Sequence, residues 1–144
     1  MQREAYFLNF AKDVRDIARM PVMVVGGFRS AAVMAGAIET GELDVVGLGR
    51  PMAADPDLPA RLLAGTVAVA PRTEDSLEIF HVMPWHIMQL ERLADGLEPD
   101  LAMSGLQAAE MFGALETRNA SALLRHRQAT SDRQRAIGDS GTTP

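Results

Sequence analysis

Apolar residues recur every three or four positions in the first segment of the chain. Between Glu4 and Ala18 they form one stripe, which is the pattern of a helix that packs on a single face. Tyr6 belongs to this stripe, and Pro21 ends it. We therefore predict an amphipathic helix in which Tyr6 is a packing residue.

Two short runs of consecutive apolar residues follow, at positions 22–25 and 45–48. The first run closes on Gly26 and Gly27, and the second is followed by Gly49. Continuous apolar runs are typical of strands that are buried on both faces, as in parallel sheets. The pattern thus predicts two parallel strands, each leading into a glycine loop.

A helical pattern follows each predicted strand. Ser30 is suitably placed to cap a helix over residues 31–39, and a short helix is expected over residues 59–64. Strands that alternate with helices at this spacing indicate an α/β fold with a parallel sheet. Because two strands alone leave the sheet edges unpaired, we expect these edges to be covered or to self-associate.

The strand pattern stops after residue 65. A linker over 66–75 leads into predicted helices over 76–95 and 104–127, and Pro84 is expected to break or kink the first of them. Apolar side chains are scarce in the remaining residues, which predicts disorder there. These patterns divide the chain into three successive parts: a βα segment over 1–65, a helical extension over 66–127 and a disordered tail over 128–144.

Composition narrows the classes of function. The chain has 144 residues and a net charge of −5, which argues against a broad cationic surface for nucleic acid or anionic lipid. No apolar run approaches the ~20 residues that span a bilayer. The absence of cysteine from the sequence excludes disulfides, thiolate catalysis and cysteine-based metal sites. We expect a soluble, cytoplasmic protein.

The histidines do not indicate a metal site. His81 and His86 do not stack on one helical turn, and Pro84 lies between them. No carboxylate four residues further along the chain supports either of them. No metal ligands are predicted.

The candidate chemistry lies in the two glycine loops. Both follow a strand directly, so we expect them at the carboxyl edge of the sheet, where ligands bind. Gly26, Gly27 and Gly49 let backbone N–H groups approach an anion closely. A helix that begins near Ser30 adds its positive end, and Arg50 offers a permanently charged clamp. The residues alone leave two interpretations open: a phosphate site, or tight turns with Arg50 paired to a surface carboxylate.

These loops and their surroundings resemble a known family. The stretch PVMVVGGFRS, continued by GELDVVGLGRPMAADPDLPARLLAG, looks like the last two βα units of the old yellow enzyme family of NADH:flavin oxidoreductases. REAYFLNFAKDVR is similar to the preceding helix, and PWHIMQLERLADGLEPDL is similar to the carboxyl-terminal helices. The resemblance implies the C-terminal part of a (β/α)8 TIM barrel, namely its last two βα units, followed by C-terminal helices.

The resemblance also implies a cofactor site. In that family, backbone N–H groups at the ends of two strands hold the phosphate of FMN, and these positions correspond to Gly26, Gly27, Gly49 and Arg50. The side chain of Arg50 is also expected to reach the phosphate, with Met52 near the flavin ring. The implied parent reaction is hydride transfer from NADH or NADPH, through FMN, to the β-carbon of an activated alkene.

The catalytic residues of the family have no counterpart in this sequence. The His/Asn or His/His pair and the proton-donating tyrosine come from earlier strands of a barrel that takes about 250 residues. We therefore predict a C-terminal fragment without catalytic residues, inactive alone, that binds the phosphate of FMN. The alternatives are the phosphate-binding part of a non-redox TIM-barrel enzyme, or a non-catalytic module that self-associates through its sheet edges.

Overall fold

The computed structural model describes residues 4–139 of the chain. Within these residues, strands and helices alternate first, and a pair of longer helices follows. In chain order the elements are α1 (Leu8–Arg15), β1 (Met23–Val25), α2 (Ala31–Glu39), β2 (Val45–Gly47), α3 (Arg50–Ala54), α4 (Leu58–Leu63), a 3-10 helix (Thr73–Ser76), α5 (Ile79–Ala94) and α6 (Gly105–Asp139).

The two strands form a parallel sheet, as the apolar runs predict. β1 pairs with β2 in the register Met23 to Val45, Val24 to Val46 and Val25 to Gly47. The helix α2 is the crossover between the strands, as expected for a βα unit. The predicted α/β class is therefore confirmed.

Only one face of this sheet is covered by the described residues. Val24 is buried on the helix side, in a core with Phe28 and Leu43. On the opposite face Met23 and Val25 are more than half exposed. The prediction that both faces are buried is wrong for this part of the chain.

The first helix is shorter than its stripe predicts. It begins at Leu8, and the preceding residues form a turn in which Ala5 adopts a φ of +52°. Tyr6 therefore lies outside the helix, half exposed. The cause is a tertiary contact of the Glu4 carboxylate with the start of α2, which holds this segment away from helical geometry.

The segment predicted as a linker pairs with the first glycine loop. Ala31 donates its N–H to the carbonyl of Ala68 at 2.9 Å, and Ala70 donates to the carbonyl of Arg29 at 2.8 Å. These bonds flank an antiparallel bridge between Ser30 and Val69. The pairing brings the following 3-10 helix next to the glycine loops, which the sequence pattern does not predict.

The helices α5 and α6 pack against each other around a second core. Trp85 donates its Nε1–H to the carbonyl of Met103 at 2.9 Å. Gln89 is fully buried and exchanges two hydrogen bonds with the backbone of Asp100, at 2.7 and 3.1 Å. The helix α5 runs without a break through Pro84, so a break at that residue was wrongly predicted.

The final helix extends beyond its predicted end. α6 continues to Asp139, whereas the sequence predicts disorder from residue 128 onwards. Scarce apolar residues predict a lack of packing, but Gln, Ala and Arg in this stretch still favour helix. The last five residues, 140–144, lie outside the described range. Among the described helices, none is long and apolar enough to cross a membrane.

Candidate functional site

The two glycine loops line one cavity of about 290 Å³. Its walls include all four predicted site residues, Gly26, Gly27, Gly49 and Arg50. The loops meet because each directly follows one of two neighbouring parallel strands. The sequence therefore predicts correctly that these residues come together.

The first loop requires glycine for two reasons. Gly26 and Gly27 adopt φ values of +136° and +72°, which side-chain-bearing residues rarely adopt. A Cβ atom on Gly27 would lie 2.7 Å from Cδ1 of Tyr6, and one on Gly26 would lie 2.7 Å from Cδ2 of Phe7. The aromatic rings of the segment before α1 thus rest directly on the backbone of this loop.

The second loop is open by comparison. A Cβ atom on Gly49 would meet nothing within 4 Å. Arg50 begins α3, and its side chain is about half exposed, with Nη1 3.6 Å from Oε1 of Glu74. This contact agrees with the interpretation of Arg50 as an ion-paired residue, and the exposure leaves the guanidinium accessible to another anion. Met52 lies in α3, partly buried, and does not line the cavity.

Sequence patterns do not identify two charged residues of the site, Arg29 and Glu74. The Arg29 guanidinium is buried, contacts Oε1 of Glu74 and donates to the carbonyl of Pro71 at 3.1 Å. The same carboxylate oxygen therefore faces Arg29 and Arg50, one from each loop. No local signal could reveal this, since Arg29 and Glu74 are 45 residues apart in the chain.

Glu4 is a further residue that the sequence does not point to. Its Oε1 accepts hydrogen bonds from the backbone N–H groups of Arg29 and Ser30, both at 2.5 Å. Its Oε2 accepts one from the hydroxyl of Ser30 at 2.7 Å. The prediction that the side chain of Ser30 caps α2 is therefore wrong. Its hydroxyl donates a hydrogen bond to Glu4 instead.

The electrostatics of this contact favour the ionised carboxylate. Burial opposes ionisation of Glu4, but the hydrogen bonds from Ser30 and Arg29 outweigh it, with help from the positive charge of Arg29. The net effect is a pKa of Glu4 below its ordinary value. The start of α2 thus already binds an oxyanion, supplied by the chain itself.

A second cavity, of about 430 Å³, adjoins the first. Tyr6, Gly27, Arg29 and Arg50 line both cavities. The charged residues along the second cavity are balanced, three basic and three acidic: Arg29, Arg50, Arg72, Glu4, Glu74 and Asp75. Among the side chains that the structure describes, no cluster of three or more metal-ligating groups occurs.

The comparison with known proteins finds a match in the part of the chain that holds both glycine loops. Residues 2–67, which contain both glycine loops, match the model of the NADH:flavin oxidoreductase / NADH oxidase family. This segment of the chain is similar to that family. The predicted resemblance to NADH:flavin oxidoreductases is therefore confirmed for the part of the chain that holds the candidate site.

Curated relatives of this family are much longer than the matched segment. The NADH-dependent flavin oxidoreductase iccE of Talaromyces variabilis is 41% identical over 58 residues, which is 40% of this chain and 14% of that protein. The NADH-dependent flavin oxidoreductase iliE of Neonectria sp. (strain DH2) is 33% identical over 97 residues, 62% of this chain and 13% of that protein. The protein of the same name from Hypocrea jecorina (strain QM6a) is 38% identical over 61 residues, 42% of this chain and 15% of that protein. The chain thus spans about one seventh of these relatives.

Proposed function

We propose that this chain supplies the phosphate-binding backbone of an FMN site in an NADH- or NADPH-dependent flavin oxidoreductase. The observation that supports this function is the cavity of about 290 Å³, which all four predicted site residues line within the matched segment. In the proposed site, the N–H groups of Gly26, Gly27, Gly49 and Arg50 bind the phosphate oxygens. The two βα units would then be the last two of a (β/α)8 TIM barrel.

The donor set suits a phosphate group. Glycine at positive φ exposes backbone N–H groups to one side, and such groups form anion-binding concavities. Arg50 adds a planar guanidinium that binds phosphate through paired hydrogen bonds, once it turns from Glu74 to the ligand. Bound FMN would supply the hydride-transfer chemistry, while this chain binds and orients the phosphate end.

We further propose that the chain does not turn over substrate by itself. In the old yellow enzyme type of reaction, the substrate would be an alkene activated by a carbonyl group. Its reduction needs side chains that hold the carbonyl and a tyrosine that donates the proton. The single tyrosine of the sequence, Tyr6, packs on the first glycine loop instead.

A fluorescence titration with FMN tests the proposed site. Replacement Arg50→Ala should weaken FMN binding about 10- to 100-fold, which corresponds to the loss of one charge-assisted contact. Arg61→Ala is a matched control, because Arg61 is also half exposed and paired to one carboxylate, Asp55, at 2.6 Å. Riboflavin, which lacks the phosphate, should bind weakly to all three proteins.

Two results would contradict this function. Equal losses in the Arg50 and Arg61 variants would show that Arg50 does not contact the ligand. Saturable binding of a sugar phosphate without binding of FMN would instead favour a non-redox phosphate enzyme. Assay of the chain with NADH, FMN and an enone substrate should give no alkene reduction above the free-flavin background.

The exposed face of the sheet favours a second candidate, self-association. Val45 is 46% exposed beside the more exposed Met23 and Val25, and apolar surface of this kind favours burial against a partner. Sedimentation should then detect a discrete oligomer that Val45→Lys dissociates. Val33→Lys, on α2 at 37% exposure, is the control that should leave the oligomer intact. A monomer at all concentrations would contradict this candidate.

A further inference from the structure

The start of α2 binds the Glu4 carboxylate through three donors. These are the N–H groups of Arg29 and Ser30, each at 2.5 Å from Oε1, and the Ser30 hydroxyl, at 2.7 Å from Oε2. The two N–H groups are the next ones along the chain after the glycine pair and Phe28. This arrangement of backbone amides, a hydroxyl and a helix N-terminus is the one that binds phosphate oxygens in other proteins.

The residues after Glu4 cover the first glycine loop. The rings of Tyr6 and Phe7 occupy the space beside Gly26 and Gly27, so closely that neither glycine has room for a Cβ atom. Ala5 is the only residue other than glycine with positive φ among those that the structure describes. Ala5 links the bound carboxylate of Glu4 to the two rings. Its strained backbone indicates that these contacts hold the segment in place.

We propose that Glu4 is an internal competitor of the phosphate ligand, and that residues 4–7 close the glycine-loop cavity until a phosphate monoester displaces the carboxylate. This inference rests on the proposed function, because it assigns regulation to the same site. It adds the N–H groups of Arg29 and Ser30 and the Ser30 hydroxyl to the donors that the ligand receives. In the closed form these donors bind Glu4.

Charge makes the two anions mutually exclusive. The adjoining cavity holds three arginines and three carboxylates, so a phosphate dianion added beside Glu4 meets no excess of positive charge. The Arg29 guanidinium already forms an ion pair with Glu74. When Glu4 leaves, one negative charge is removed and the N–H groups and hydroxyl that bound it become available. Replacement of Glu4 by the phosphate is therefore favoured over binding of both anions together.

The anchors of α1 are separate from the Glu4 contact. The helix α1 begins only at Leu8, and two ion pairs hold it to the residues around β2. These pairs join Lys12 to Glu42 at 2.5 Å and Arg15 to Asp44 at 2.6 Å. Opening therefore moves residues 4–7, including the buried Ala5, while these ion pairs hold α1 in place.

Titration of four proteins with FMN tests the proposal: the natural chain, Glu4→Gln, Glu4→Ala and Asp13→Asn. If the closed form is favoured about tenfold, removing the competitor tightens apparent FMN affinity by about tenfold. We expect this gain in both Glu4 variants. Asp13→Asn removes an equal charge from an exposed position on α1, outside both cavities, and should bind as the natural chain does. Riboflavin affinity should not rise.

Amide NMR of the natural chain gives a second readout that needs no variant. Bound FMN should shift the N–H signals of Arg29 and Ser30 as the carboxylate leaves. Unchanged signals at saturating FMN would overturn the proposal even if the Glu4 variants failed to fold.

The failures of the two proposals are distinguishable. Unchanged or weaker FMN binding in both folded Glu4 variants, together with loss of binding in Arg50→Ala, would overturn the role of Glu4 and leave the FMN site standing. Absence of FMN binding by every protein, including Glu4→Ala, would overturn the FMN site and with it the competition.

Discussion

The two glycine loops have similar sequences and opposite surroundings. In the first loop, the glycines support aromatic rings, the arginine is buried and the backbone N–H groups bind Glu4. In the second loop, Gly49 faces open space and Arg50 is half exposed. One loop is fixed by the rest of the chain, whereas the other is accessible to a ligand. Two similar motifs therefore differ in how firmly the rest of the chain holds them.

The two arginine substitutions, one in each loop, should show the largest difference in their effect on stability. Arg29→Ala leaves Glu74 buried without its main counter-charge and should lower the free energy of unfolding by about 3–5 kcal/mol. Arg50→Ala removes a half-exposed partner and should cost less than about 1 kcal/mol. Urea unfolding followed by circular dichroism measures both. Equal destabilisation of the two variants would remove the distinction between the loops.

Substitution of the glycines should give the next largest difference. Gly27→Ala forces a Cβ atom into the Tyr6 ring at a φ of +72° and should cost about 1–3 kcal/mol of stability. Gly49→Ala has space for its methyl group and should change stability by less than about 1 kcal/mol. Thermal melts of the two variants provide the comparison. If Gly49→Ala were the more destabilising, the second loop would be the rigid one.

Low pH should weaken the contact between Glu4 and the start of α2. We expect this to be the smallest of the three effects on stability. Folding lowers the pKa of Glu4, so its contribution to stability is complete above the ordinary value of 4.5 and is lost as the pH falls through the lowered value. Glu4→Gln should therefore lose less stability than the natural chain between pH 5 and pH 2, with Asp13→Asn, at an exposed position of α1, as the control. Parallel pH profiles of the natural chain and Glu4→Gln would contradict this linkage.

Local sequence signals account for the elements that form the cavity. Apolar runs followed by glycine predict β1 and β2 to within about one residue, and the capping position of Ser30 predicts the start of α2. The convergence of Gly26, Gly27, Gly49 and Arg50 follows from parallel pairing alone. These features could be predicted because each depends on neighbours in sequence or on the direction of a strand.

Contacts between distant residues account for what could not be predicted. Glu4 meets Ser30 from 26 positions away, and this contact replaces the first turn of the expected helix with a strained turn at Ala5. Glu74 reaches Arg29 across 45 positions, through a segment whose composition indicates only a linker. Hydrophobic periodicity holds no information about such ion pairs, because it concerns the burial of apolar surface and not the choice of a charged partner.

The long helix α6 has a consequence for how the protein unfolds. Among the side chains of α6 that the structure describes, Leu115 is the last buried one, and the helix extends about 36 Å beyond it, at about 1.5 Å per residue. Over residues 116–131 every side chain is exposed, so this stretch gains no stability from packing. Its helicity then depends on backbone propensity, as in an isolated peptide, and is lost gradually rather than in one cooperative step. The far half of α6 should therefore lose its helical order progressively on warming, well before the two cores melt.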